Sequence, residues 1–239
     1  MLSYLFDFMS GDIEVVDFLI IICVLVFVTF CCLPVHECAH AWMADKLGDA
    51  TGRLKGRINL SPMAHLSLTG TLMLAIFGFG YAKPVPVNIR NFKKRKLYFG
   101  LTALAGPISN LILAVIFLLI AVICSCFIQF NLLTGAAKVF DISVKFFSNV
   151  AYYNIALAVF NLIPFPPLDG SRILTMVLPD SIYYKLLSYE RYMSYALFAL
   201  LFAFSRLGFS PLSIATEFLY DTISSAIISV VSFFIGLIT

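Results

Sequence analysis

His36-Glu37-Cys38-Ala39-His40 sets two imidazoles four residues apart with a carboxylate between them. On a helix the two histidines share one face, so both rings can meet on a single metal ion. Glu37 then stands beside a water activated by that metal and can take its proton. These residues close an apolar run, Asp17 to Val35, that carries no charge after Asp17. A soluble peptidase has no reason to embed its ligand helix in such a run, which reads as a metal site inside a membrane. Cys38 leaves the helix on another side and is not expected to bind the ion.

Catalytic zinc takes three protein ligands, so a third is needed. The chain has three histidines and thirteen acidic residues. Asp7, Asp12, Glu14 and Asp17 lie at the far end of the first apolar run, and Asp45 and Asp49 follow the histidines in a polar turn. Asp141, Asp180, Glu190, Glu217 and Asp221 lie in or beside loops. Asp169 remains, in Asn161-Leu-Ile-Pro-Phe-Pro-Pro-Leu-Asp169-Gly170 at the end of a later apolar run. Those prolines cannot sustain a regular helix, and non-helical backbone at membrane depth belongs where it lines a cavity. The alternative for Asp169 is a helix cap at an interfacial turn before Arg172. His65 is a competing third ligand, or a hydrogen-bonding partner of substrate. Asn110, four residues after Gly106 in an apolar run, is costly in lipid without a partner. It reads either as an amide for a substrate carbonyl or oxyanion, or as an interhelical hydrogen bond.

The elements that must position these groups are membrane helices. Hydrophobic residues make up 61% of the 239-residue chain and charged residues 12%, against roughly 45–50% and 25% in soluble domains. The mean hydropathy of +0.98 agrees. Apolar runs long enough to span a bilayer fall at about 17–44, 97–128, 147–164, 182–204 and 211–238. A shorter run, 66–81, is interrupted by Gly70, Gly78 and Gly80 and is expected to be re-entrant or interfacial. The expected fold is an all-α polytopic membrane protein of about five to six transmembrane helices with a small membrane-associated β-hairpin or re-entrant segment. It forms one domain over 1–239, with a catalytic core at about 17–175 and C-terminal helices at about 180–239. The first ten residues lack Lys and Arg, so a cleaved signal peptide is not expected. The six cysteines (23, 31, 32, 38, 124 and 126) lie in or beside apolar runs and suggest no disulfide framework.

Basic residues cluster at Arg53–Arg57 and Lys83–Lys96, which the positive-inside rule assigns to the cytoplasm. The amino terminus is then outside, and His36, His40, Asn110 and Asp169 converge at one depth near the cytoplasmic side. Lys93–Lys96 is read as a topology and lipid contact, not a nucleic-acid site. Polar and apolar residues alternate over Arg53–Leu60, the pattern of a half-buried strand. With the Pro-bearing stretch Lys83–Asn88, it is expected to form a small sheet that accepts unwound substrate, with Ile58, Asn59 and His65 as substrate contacts; the alternative is a solvated basic turn followed by a Pro-rich linker.

Three motifs in order resemble the site-2 protease family of intramembrane zinc metalloproteases: His36–His40, Gly106-Pro-Ile-Ser-Asn110, and Asn161–Gly170. Gly48–Arg53, Gly56–His65 and Ala82–Asn88 look like its compact prokaryotic subgroup without a PDZ domain. The resemblance covers about 20–175. It implies one zinc held by His36, His40 and Asp169, Glu37 as general base, Asn110 as a substrate or oxyanion contact, and single-span membrane proteins or peptides as substrates in a cell membrane. A silent zinc scaffold or a transporter are the alternatives from other classes. A transporter would show paired halves and gives no reason for Glu37.

Overall fold

The computed structural model describes residues 13–67, 82–130, 135–179 and 211–236, together with positions 8, 10, 11, 70, 181, 182, 188, 189, 192, 193, 195–197 and 199. The described elements are helical. Helix α1 (Val15–Phe27) runs through a π turn (Val28–Cys32) into α2 (Leu33–Lys46). Pro34 explains the π turn: it lacks an N–H, and in a regular helix its ring would meet the Phe30 carbonyl. The turn widens there instead, with Leu33 N–H donating to Val28 O. Helix α2 ends in a Schellman motif. Asp49 N–H donates to Ala44 O (2.8 Å) and Gly48 N–H to Asp45 O (3.1 Å), with Gly48 at φ +110°.

The next stretch departs from the strand expected over Arg53–Leu60. Residues Thr51–Leu54 form a helical turn, α3. A second Schellman closure ends it, with Arg57 N–H on Gly52 O (2.9 Å) and Gly56 N–H on Arg53 O (2.9 Å); Gly56 has φ +68°. Asn59 then bonds locally, its amide donating to Gly56 O while Oδ1 accepts from Ser61 N–H. These local bonds outcompete a ladder, so alternation alone misread the segment. Pro62 opens another turn, α4 (Pro62–His65). Lys83–Asn88 is non-helical, as its prolines require, but no strand forms among the described residues and the expected β-hairpin is absent from them. In its place stands one antiparallel bridge, Leu66 to Ala82, with Lys83 N–H on His65 O at 2.6 Å. The expected re-entrant run 66–81 lies almost wholly outside the described residues. Its flanks meet: Arg57 Nη1 donates to Ala64 O (2.6 Å) and Lys83 O (3.4 Å), so the two basic clusters adjoin.

Asp49 clasps these loops. Its carboxylate accepts from Asn88 N–H (2.7 Å), Asn91 Nδ2 (2.7 Å), and Thr51 N–H and Oγ1. Burial raises its carboxyl pKa, but hydrogen bonds from Thr51, Asn88 and Asn91 outweigh it and hold the group below the usual carboxylate range. A folded pKa below the unfolded one contributes stability that is full above the unfolded value and is lost as pH falls through the folded value. Asp49→Ala is expected to cost about 2–4 kcal/mol by orphaning these donors and to blunt acid destabilisation of the protein below about pH 4. Thermal melts in detergent across pH check both.

Helix α5 (Arg95–Gln129) and helix α6 (Ala137–Leu162) pack along each other. Ala114 and Leu118 of α5 cluster with Ala151 and Ile155 of α6, the two alanines being small residues at the seam. Such residues let backbones approach where lipid supplies no hydrophobic drive between helices. Helix α1 packs on α6 through Ile20, Val24, Val28 and Val150, around the ring of Phe27, and Lys145 reaches Asp17 at 2.8 Å. After α6 come a non-helical turn, a short α7 (Asp169–Ile173) and a 3-10 turn (Leu174–Met176). Helix α8 (Pro211–Gly236) covers α5 and α6 through Ile227.

Among the described residues three helices are long and apolar enough to cross a membrane: Val15–Lys46 (32 residues), Arg95–Gln129 (35) and Pro211–Ile235 (25). These match three of the five expected runs. Helix α6 has 26 residues but carries Lys138, Asp141, Lys145, Asn149, Asn154 and Asn161. It lies against α1, α5 and α8, so much of its surface meets protein and does not require an apolar coat. The expected 182–204 run falls mostly outside the described residues.

Candidate metal centre

Three donor atoms converge at one end of the α1–α2 helix. His40 Nε2 lies 3.1 Å from His36 Nε2. Asp169 Oδ2 lies 3.3 Å from His36 Nε2 and 3.1 Å from His40 Nε2. All three residues are buried. Ligands about 2.0–2.1 Å from a tetrahedral zinc are separated by about 3.3 Å along each edge of the tetrahedron. The spacing fits that geometry. The chemistry of the set also suits a cation: two ring nitrogens and a carboxylate oxygen turn toward one buried point, where a metal ion or a shared proton relieves the repulsion of their lone pairs.

Each donor is aimed by its own element. His36 and His40 project from one face of α2. The His40 Nδ1–H donates to the Thr102 carbonyl of α5 (2.8 Å), which leaves Nε2 as the lone pair facing the cluster. Gly106 makes room for both rings: a Cβ there would fall within 3.0 Å of His36 and His40. Asp169 arrives on the turn after α6, where Phe165 N–H bonds Ile163 O (2.7 Å) and Leu168 N–H bonds Phe165 O (3.0 Å); the Pro166–Pro167 peptide is cis. Gly170 is required for this turn, since its Cβ would strike the carbonyls of Leu162 and Ile163. The segment is fastened to α5 by Lys96 Nζ on Leu178 O (3.0 Å) and Thr175 Oγ1 on Lys96 O (3.3 Å). Arg172 lies over the Phe99 ring at 5.8 Å.

Glu37 is half-buried between the two histidines in sequence. Asn110 is fully buried one turn beyond Gly106, with both amide atoms unpartnered among the described residues. His65 stands outside the three-donor cluster. It is buried with Nε2 at 2.8 Å from the Asn59 carbonyl, which makes it a brace of the 59–65 turn and not the third donor. Asn59 is exposed and Ile58 half-buried. Sequence reasoning passed over three partners: the Thr102 carbonyl, which no side-chain pattern reveals, the Asp49 clasp, and Asn154. Asn154 is buried in α6, and an amide in an apolar run was the available signal for it.

Comparison with known proteins bears on this geometry. No solved structure matches the chain. The chain is 41% identical over 167 residues to YwhC of Bacillus subtilis (strain 168), covering 70% of this chain and 74% of that protein. It is 29% identical over 148 residues to Rip2 of Mycolicibacterium smegmatis (strain ATCC 700084 / mc(2)155), covering 58% of this chain and 51% of that one. Both relatives carry provisional names as zinc metalloproteases. The model of peptidase family M50 matches residues 18–204, a span holding all three donors, Glu37 and Asn110. The chain therefore belongs to peptidase family M50, the site-2 protease family.

Proposed function

We propose that this protein is an intramembrane zinc metalloendopeptidase that cuts membrane-spanning substrates in regulated intramembrane proteolysis. The observation that carries the reading is the meeting of two Nε2 atoms and one carboxylate oxygen within 3.1–3.3 Å at the end of a 32-residue apolar helix. His36, His40 and Asp169 hold one zinc ion, the metal named for both relatives. When bound, zinc supplies Lewis acidity toward water and the scissile carbonyl. Glu37 accepts the proton of the attacking water and returns it to the leaving amine. Asn110 offers its amide N–H to the carbonyl oxygen as charge develops there.

A helical substrate hides its carbonyls in internal hydrogen bonds, so the cut segment must be unwound. Ile58, Asn59 and His65 are assigned to its contacts, with the buried His65 Nδ1, unpartnered among the described residues, as the strongest support. The adjoining basic clusters favour a cytoplasmic position for this end of the molecule, with the amino terminus outside and anionic lipid at Lys93–Lys96. The substrates are single-span membrane proteins or peptides.

The test uses protein purified in detergent, a tagged single-span membrane peptide and Asp169→Ala. Wild type is expected to hold about one zinc per chain and to cleave the peptide within its apolar segment. Asp169→Ala should lose most of its zinc on dialysis and its cleavage with it. Wild type that binds zinc but cuts only soluble polypeptides would sink the intramembrane reading.

A further inference from the structure

Beyond the three donors, buried polar atoms on three helices lack partners among the described residues: His36 Nδ1, both amide atoms of Asn110, and Asn154 Oδ1. Asn110 and Asn154 are 0% exposed and His36 is 4% exposed. The helices bring them to one level. Helix α5 runs opposite to α2: Thr102 meets His40, and Gly106 abuts both His40 and His36. The next turn of α5, at Asn110, therefore stands level with the turn from Cys32 to His36. Asn154 of α6 reaches the same level, because its Nδ2 lies 3.4 Å from Cys32 Sγ. The same Nδ2 donates to Val150 O at 2.8 Å, which fixes the amide with Oδ1 as a free acceptor.

The hydrogen-bond count then closes on one small ligand. A His36 that offers Nε2 to a metal keeps its proton on Nδ1, which is one donor. Asn110 Oδ1 and Asn154 Oδ1 are two acceptors. A water accepts one hydrogen bond and donates two, and buried waters typically make about three bonds to otherwise unsatisfied groups. We propose that α2, α5 and α6 enclose a water-binding site formed by His36 Nδ1, Asn110 Oδ1 and Asn154 Oδ1, and that this water orients the His36 ring for zinc. The proposal rests on the zinc reading above. Asn154 is then a positioning residue that never touches metal or substrate, and Asn110 keeps Nδ2 for the substrate carbonyl.

The test is zinc affinity by chelator competition in wild type, Asn154→Leu and Cys32→Ala. Asn154→Leu keeps the volume but removes the acceptor, and its zinc dissociation constant should rise about 10- to 100-fold. Cys32→Ala removes only the sulfur contact and should stay within about twofold. A folded Asn154→Leu with wild-type affinity overturns the proposal. If that variant does not fold, wild type labelled with 15N-histidine and loaded with zinc decides: the His36 Nδ1–H should show a cross-peak to a long-lived water, and its absence overturns the site. Wild type that takes up no zinc overturns the zinc reading, and the proposal with it.

Discussion

Glu37→Gln is expected to lower the cleavage rate about 10²–10⁴-fold while zinc content stays near that of wild type. That loss corresponds to about 2.7–5.5 kcal/mol of barrier. Glu37 is not one of the three clustered donors, so removing its charge leaves the cluster intact. Glutamine keeps the shape and the polarity of the half-buried side chain but cannot accept a proton from water. Parallel measurement of bound zinc and of single-span peptide cleavage separates the two roles. Zinc lost together with activity would make Glu37 a structural support of the site, and an unchanged rate would remove it from the chemistry altogether.

Gly106→Ala is expected to have an effect of similar size by a different route. The new methyl would lie within 3.0 Å of both imidazoles. Neither ring can yield cheaply, because His40 is tied to the Thr102 carbonyl and α5 is packed on α6. Relief requires a helix shift or a turned ring, and a misplacement of about 1 Å at a catalytic centre costs about 10²-fold in rate. Both zinc occupancy and cleavage should fall. Gly100→Ala on the same helix is the contrast: the three atoms nearest its Cβ all belong to the Met176 side chain, which is flexible enough to move aside. It should keep zinc and lose less than about 1.5 kcal/mol of stability in a thermal melt. Equal zinc content in the two variants would show that Gly106 is not a spacing residue.

Much of the site was legible because helix geometry is local. A spacing of four puts His36 and His40 on one face wherever the helix sits. Asp169 stood out because prolines unwind the chain beside it in an apolar context. The apolar runs at 17–44, 97–128 and 211–238 reappear as long helices for the same local reason, since lipid demands internal backbone hydrogen bonding. The alternation over Arg53–Leu60 misled because Gly56 and Asn59 offer the backbone closures that a period-two count ignores. The polarity of α6 likewise became intelligible only once its neighbours were in place.

What the sequence determined by itself was the donor types, their face on α2 and the membrane character of the helices that carry them. These follow from composition and from periods of a few residues. Only the tertiary structure decided that Asp169, not His65, joins the two histidines, that Gly106 is the space their rings occupy, and that Thr102 lends a carbonyl to His40. Those relations join residues more than sixty positions apart in sequence. They depend on how closely α2, α5 and the turn after α6 approach, which side-chain packing sets and no local pattern encodes.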